Sequence, residues 1–177
     1  MINDLLPLPQ KMDENEWVFI ISFIILVPLI LWLPKKFPTS ITWLLLIFGG
    51  TVPRIFDKVL ASPKTDYYDV FDTGKYELFD LISYPLYSVF AYIFVYIYAH
   101  FRFSNFKFVI FIVISSLLGT AFEYLSSLFN MFHYKEWTIF FSFTVYLIIQ
   151  PLTILFYLYI VQMHSKLTIN SNTCDEV

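Results

Sequence analysis

Five ionisable residues stand in or beside apolar runs where charge is expensive: Arg54, Asp57, Lys58, Asp80 and Glu123. Insertion scales put Arg or Asp at the centre of a membrane helix at a cost of roughly 2.5–3.5 kcal/mol, so such groups persist when they pair, reach water or do work. Two kinds of chemistry are open to them: a buried ion pair, or a polar pocket that takes a cation or a proton. Arg54 and Glu123 each lie about six residues from the same end of their runs, roughly 9 Å at 1.5 Å per residue. Matching depth and opposite sign make them the expected pair.

Spacing gathers further polar residues onto single helix faces. Ser116, Thr120, Glu123 and Ser127 follow i, i+4, i+7, i+11; Ser142, Tyr146 and Gln150 follow i, i+4, i+8 and continue to Thr153 and Tyr157. Asp80, Tyr84 and Tyr87 are spaced i, i+4, i+7, and Arg54, Asp57 and Lys58 i, i+3, i+4. These faces predict a shared interior, with Arg54, Asp57, Asp80, Tyr84, Glu123, Tyr146 and Gln150 as the candidate polar pocket. Hydroxylated residues also line ordinary helix contacts in membranes, at ~0.6 kcal/mol per interhelical hydrogen bond. A structural staple is therefore favoured over a functional cavity.

The elements that must position these residues follow from composition. Of 177 residues, 58% are hydrophobic, 21% aromatic and 14% charged, against ~25% charged in soluble domains, and mean hydropathy is +0.68. Such a chain lacks the polar surface to face water all round. Disorder, a disulfide scaffold and a soluble enzyme are excluded. A net charge of −3 offers no basic face for nucleic acid. Five apolar runs, at about 17–33, 40–61, 78–99, 106–129 and 137–163, each approach the ~20 residues that a bilayer core requires. The expectation is an all-α, polytopic membrane bundle of five transmembrane helices, with an N-terminal tail at 1–16, an acidic, solvated loop at 62–77 and a polar tail at 164–177. The first run has acidic residues in front and no small-residue site behind, unlike a cleaved signal peptide. It carries only Ser22 and Pro28 and is expected at the periphery.

Within the second run, Gly49-Gly50-Thr51-Val52-Pro53-Arg54 reads as a kink that aims Arg54 inward, favoured over a helix broken at membrane depth. Trp17, Trp32, Trp43 and Trp137 are expected as interfacial anchors. Counting only Lys and Arg, Lys35-Lys36 after the first run outnumber Lys11 before it, which places the N-terminus outside and the C-terminus in the cytoplasm.

No catalytic constellation stands out. Asp69-Val70-Phe71-Asp72-Thr73 has the letters of a phosphatase aspartate motif without the strand and α/β domain that motif needs. His100, His133 and His164 are dispersed, Cys174 is the single thiol, and no metal or cofactor set is expected. The ending Cys174-Asp175-Glu176-Val177 has acidic residues where a prenylation box needs aliphatic ones.

Glu123, then Tyr134-Lys135-Glu136-Trp137, then Tyr146 and Pro151 give the region from Phe106 to about Met163 a further meaning. It resembles a family of small multi-spanning membrane proteins from clostridia and bacilli. The resemblance implies a bacterial membrane location and points to Glu123 and Trp137; it carries no activity. The expected function is a non-catalytic structural or partner-binding component of the bacterial envelope, in contact with lipid and a membrane-protein partner. The alternative is a small permease or substrate-binding subunit, with Glu123 as the cation or proton site and Arg54 as its counter-ion.

Overall fold

The computed structural model of the chain describes residues 13–62, 64–70 and 78–174. Five helices account for most of it: α1 (Glu14–Trp32), α2 (Thr39–Leu60), α3 (Leu78–Phe101), α4 (Asn105–Leu128) and α5 (Ile139–Cys174). Two short strands, β1 (Tyr68–Val70) and β2 (Phe132–Tyr134), sit in the α2–α3 and α4–α5 connections. The fold is all-α, and α1, α2, α4 and residues 139–169 of α5 are long and apolar enough to cross a membrane. This is a multi-pass membrane protein.

α2, α3 and α4 begin and end within a residue or two of their apolar runs, α1 starts three residues early at Glu14, and α5 departs most. There the polar segment after His164 continues the helix to Cys174 instead of forming a separate tail. Hydropathy falls there, but no Gly or Pro intervenes to stop the helix. At the other end of the chain, Asp13 and Glu16 start α1 with a reciprocal capping box.

The central helix is α3, which packs against α1, α2 and α5. From Ser83 onward it carries Tyr84, Tyr87, Tyr92, Tyr96 and Tyr98, amphipathic rings suited to a protein neighbourhood. One apolar core joins α2, α3 and α5 through Ile41, Leu45, Tyr92, Val95 and Ile154; a smaller one gathers Phe19, Leu86 and Met131. Outward-facing side chains are the reverse of a soluble pattern: Leu31 is 80% exposed and Trp32 85%, which lipid can cover and water could not without penalty.

The α2–α3 contact gives the paired glycines a packing role. α2 runs unbroken through Pro53. A Cβ at Gly49 would stand 2.5 Å from Ala91 Cβ and 3.1 Å from Ser88 Cα, and one at Gly50 would meet Ser88 Oγ at 2.6 Å. The glycines thus let two helix backbones approach, the usual role of small residues between membrane helices.

At the end of the bundle bearing the strands, two loops distant in sequence pair into a small antiparallel ladder: Tyr68 opposite Tyr134, Asp69 opposite His133, Val70 opposite Phe132. Asn130, at φ 58°, reverses the chain out of α4, a conformation Asn tolerates better than most residues. The Tyr67 carbonyl then accepts the backbone N–H groups of Lys135, Glu136 and Trp137 at 3.0, 3.2 and 3.2 Å. Residues 64–70 therefore form a structured cap and not simply a solvated loop; residues 63 and 71–77, including the rest of the Asp69–Thr73 motif, lie outside the described residues.

Candidate functional site

The polar faces of α4 and α5 meet as their spacing predicts. Ser116 Oγ donates to Gln150 Oε1 at 3.0 Å. Two turns along α4, the Glu123 carboxylate becomes a hub. Its Oε1 accepts Tyr134 OH at 2.8 Å and Ser142 Oγ, and its Oε2 accepts Tyr146 OH at 3.0 Å. Trp137 Nε1 donates to Ser142 Oγ at 2.8 Å, which directs the serine proton onto Glu123. Gly119 makes room for the Tyr146 ring, since a Cβ there would touch it at 3.4 Å. Among the described residues no Lys, Arg or His forms an ion pair with Glu123; its charge is met by hydroxyl donors.

Across from the hub, Asp57 of α2 accepts Tyr68 OH at 2.7 Å. Between the two carboxylates lies a cavity of about 120 Å³. Its polar rim is formed by Asp57, Tyr68, Tyr87, Glu123, Tyr134 and Trp137, and carbon from Val52, Val145 and Ile149 supplies much of the wall. The Tyr68 and Trp137 rings pack edge-on at 5.7 Å and close the cavity at the cap. Tyr87 of α3 is half-buried and lines this cavity. Its hydroxyl makes no hydrogen bond among the described residues.

Electrostatics fix the state of the two cap phenols. Burial, and then the charge of Asp57, push Tyr68 far above the usual tyrosine range. Burial and the charge of Glu123 do the same for Tyr134. Both stay protonated, and so remain donors to their carboxylates, throughout the physiological range.

Of the predicted pocket, Asp57, Glu123 and Tyr146 come together here. Arg54 does not join them, and the expected Arg54–Glu123 pair does not form. The Arg54 guanidinium lies over the Tyr84 ring, 4.9 Å from its centre, and both residues line a separate open crevice of about 550 Å³ between α1, α2 and α3. Spacing along the chain does not fix direction: Arg54 and Asp57 leave α2 toward different neighbours. Gln150 serves the α4–α5 contact. The side chain of Asp80 lies outside the described residues.

Sequence reasoning missed Tyr68; it pointed to Tyr134 and Trp137 only through the resemblance, and by position it read Trp137 as an interfacial anchor. Trp17, Trp32 and Trp43 are more than half exposed, as membrane anchors would be. Trp137 is instead half-buried in the site. The available signal was the density of aromatic residues, Tyr67-Tyr68 and Tyr134 to Trp137, in two loops otherwise rich in charge.

The cap is latched from outside by Lys135, whose Nζ reaches Asp66 Oδ1 at 2.6 Å and Asp69 Oδ2 at 3.0 Å. The hydrogen bonds it donates to Asp66 and Asp69 raise the lysine above its ordinary range. A raised value means the contribution is complete below the ordinary lysine pKa and fades only as pH climbs through the raised one, so the latch is intact at neutral pH. Exposed pairs of this kind contribute little to global stability. Lys135→Ala is therefore expected to leave the melting temperature nearly unchanged while speeding amide exchange at Phe132–Tyr134, and high salt should reproduce that effect in the native protein. Unchanged exchange would show that the ladder needs no latch.

Compared with known family models, curated proteins and solved structures, the chain matches none.

Proposed function

We propose that this chain is a non-catalytic, multi-pass protein of the bacterial cell membrane that binds a small solute in the Glu123 cavity, as a small permease or as the substrate-binding subunit of one. All five helices span the bilayer in this reading, with the N-terminus and the cap outside and the C-terminus in the cytoplasm. A single observation carries it: a carboxylate held by three hydroxyl donors, without a basic partner among the described residues, opens on a cavity that a second carboxylate also faces. A pure staple needs no such space, and ionisable groups at membrane depth are by default functional candidates.

The test is accumulation of solutes from a defined medium by cells carrying the native chain or Glu123→Gln, with equal membrane insertion checked for both. At least one solute is expected to accumulate only with the native chain. If no solute differs and the variant merely melts earlier in detergent, the reading falls. Labelling of Cys174 only after permeabilisation supports the stated orientation; labelling in intact cells reverses it.

A structural or partner-binding role is favoured by one other feature. α5 continues past the bundle with Leu167 and Ile169 exposed at 70% and 60%. Loss of a copurifying membrane protein on truncation after Met163 would support that role.

A further inference from the structure

We infer that the ligand of the Glu123 cavity is a small organic ammonium cation, an inference that rests on the solute-binding reading above. The sign of the charge follows from the rim. Glu123 and Asp57 are both acidic, and Glu123 has only hydroxyl partners. A cation answers the charge of Glu123, which has no basic partner among the described residues, in a place where an unpaired carboxylate is expensive. A separate observation points to an occupant with hydrogen-bonding capacity. Tyr87 lines the cavity, and its hydroxyl has no hydrogen-bond partner among the described residues, so it is available to an occupant.

The walls select the kind of cation. A hard metal ion takes six to eight oxygens in a shell at ~2.3–2.6 Å, and no three His, Cys, Asp or Glu converge among the described residues. Much of this lining is carbon, from Val52, Val145, Ile149 and the cap aromatics. That asymmetry suits an ion with a charged head and a short hydrocarbon body. The head would lie toward the carboxylates, Tyr87 and the Trp137 ring, whose π face attracts cations. Volume sets the limit. A cavity of ~150 Å³ holds benzene, so about 120 Å³ admits a body of roughly four to six heavy atoms.

The full-length protein in lipid nanodiscs would be titrated with n-butylammonium, tetraethylammonium, sodium, potassium and neutral n-butanol at constant ionic strength, and its thermal midpoint followed. A saturable rise is expected with n-butylammonium and none with the others. Loss of a charge-assisted hydrogen bond should weaken binding roughly tenfold or more in Glu123→Gln. Tyr87→Phe, which leaves packing intact, should weaken it severalfold and keeps the test decisive even if Glu123→Gln folds poorly. An equal response to n-butanol would reduce the site to an apolar hole and overturn the inference. A Glu123-dependent response to sodium or potassium but not to n-butylammonium would also overturn it while sparing the solute-binding reading. No response to any of them, in a protein whose uptake also ignores Glu123, would remove both.

Discussion

Glu123→Ala should destabilise the protein by about 2–4 kcal/mol, whereas Glu123→Gln should cost under ~1 kcal/mol. The alanine variant strips the acceptor from Tyr134, Ser142 and Tyr146 at once. At the ~0.6 kcal/mol average for interhelical bonds in membranes, three of them set a floor near 2 kcal/mol. Hydroxyls left dry cost ~1–3 kcal/mol each, but water entering the cavity recovers part of that, which sets the upper figure. Glutamine behaves differently because its amide can satisfy the same geometry. The carbonyl oxygen accepts from Tyr134 and Ser142, and the amide nitrogen donates to the Tyr146 oxygen. Unfolding of the three proteins in mixed micelles against increasing detergent denaturant would measure the ordering. Two variants of equal stability would show that the hub is not a hydrogen-bonded one, and an alanine variant as stable as the native chain would show that it bears no structural load. Because glutamine keeps the bonds and removes the charge, it is also the substitution that separates solute binding from folding.

Much of this hub was legible from spacing. Glu123 on one helix and Ser142 and Tyr146 on the next share faces that a 3.6-residue period makes visible, and Ser116 and Gln150 extend the same contact. What periodicity reports is a direction on one helix; it does not say which neighbour stands in that direction. Arg54 shows the gap. Its expected depth matches that of Glu123, but α2 turns it toward α1 and α3, over Tyr84, while Asp57 on the same helix faces the cavity. The cap was less legible still. Tyr68 and Tyr134 meet through a ladder three residues long between loops more than 60 residues apart, too short for any alternation to register and fixed only once four helices have been placed. Charge-rich composition around Asp66, Asp69 and Lys135 reads as solvated loop, and those side chains are indeed at the surface. The aromatic residues interleaved with them turn inward instead.

The second large effect belongs to Gly49, and its sign depends on a contest between two magnitudes. Alanine is a better helix former than glycine by ~1 kcal/mol, so Gly49→Ala would stabilise an isolated α2. Against this, the new Cβ arrives 2.5 Å from Ala91 Cβ and 3.1 Å from Ser88 Cα. Both atoms are fixed to the α3 backbone and no side-chain rotation relieves them. Forcing atoms into a packed interface costs typically ~1–3 kcal/mol, and a contact this short belongs at the upper end, so Gly49→Ala is expected to destabilise by about 1–2 kcal/mol net. Gly49→Val should do worse. Gly50→Ala provides the internal control. Its obstacle is Ser88 Oγ at 2.6 Å, the tip of a side chain that can turn away at the expense of its bond to the Tyr84 carbonyl, so loss and gain nearly cancel. The double variant Gly49→Ala/Ala91→Gly moves the methyl from one helix to the other and should recover most of the Gly49→Ala loss. Separation of α2 from α3 also draws Asp57 away from Tyr68, so Gly49→Ala should loosen the cap. Faster amide exchange at Tyr68–Val70 in the single variant, reversed in the double one, would tie helix packing to the cavity. A Gly49→Ala protein as stable as the native chain, with unchanged exchange at the cap, would show that the close α2–α3 approach does not position the site.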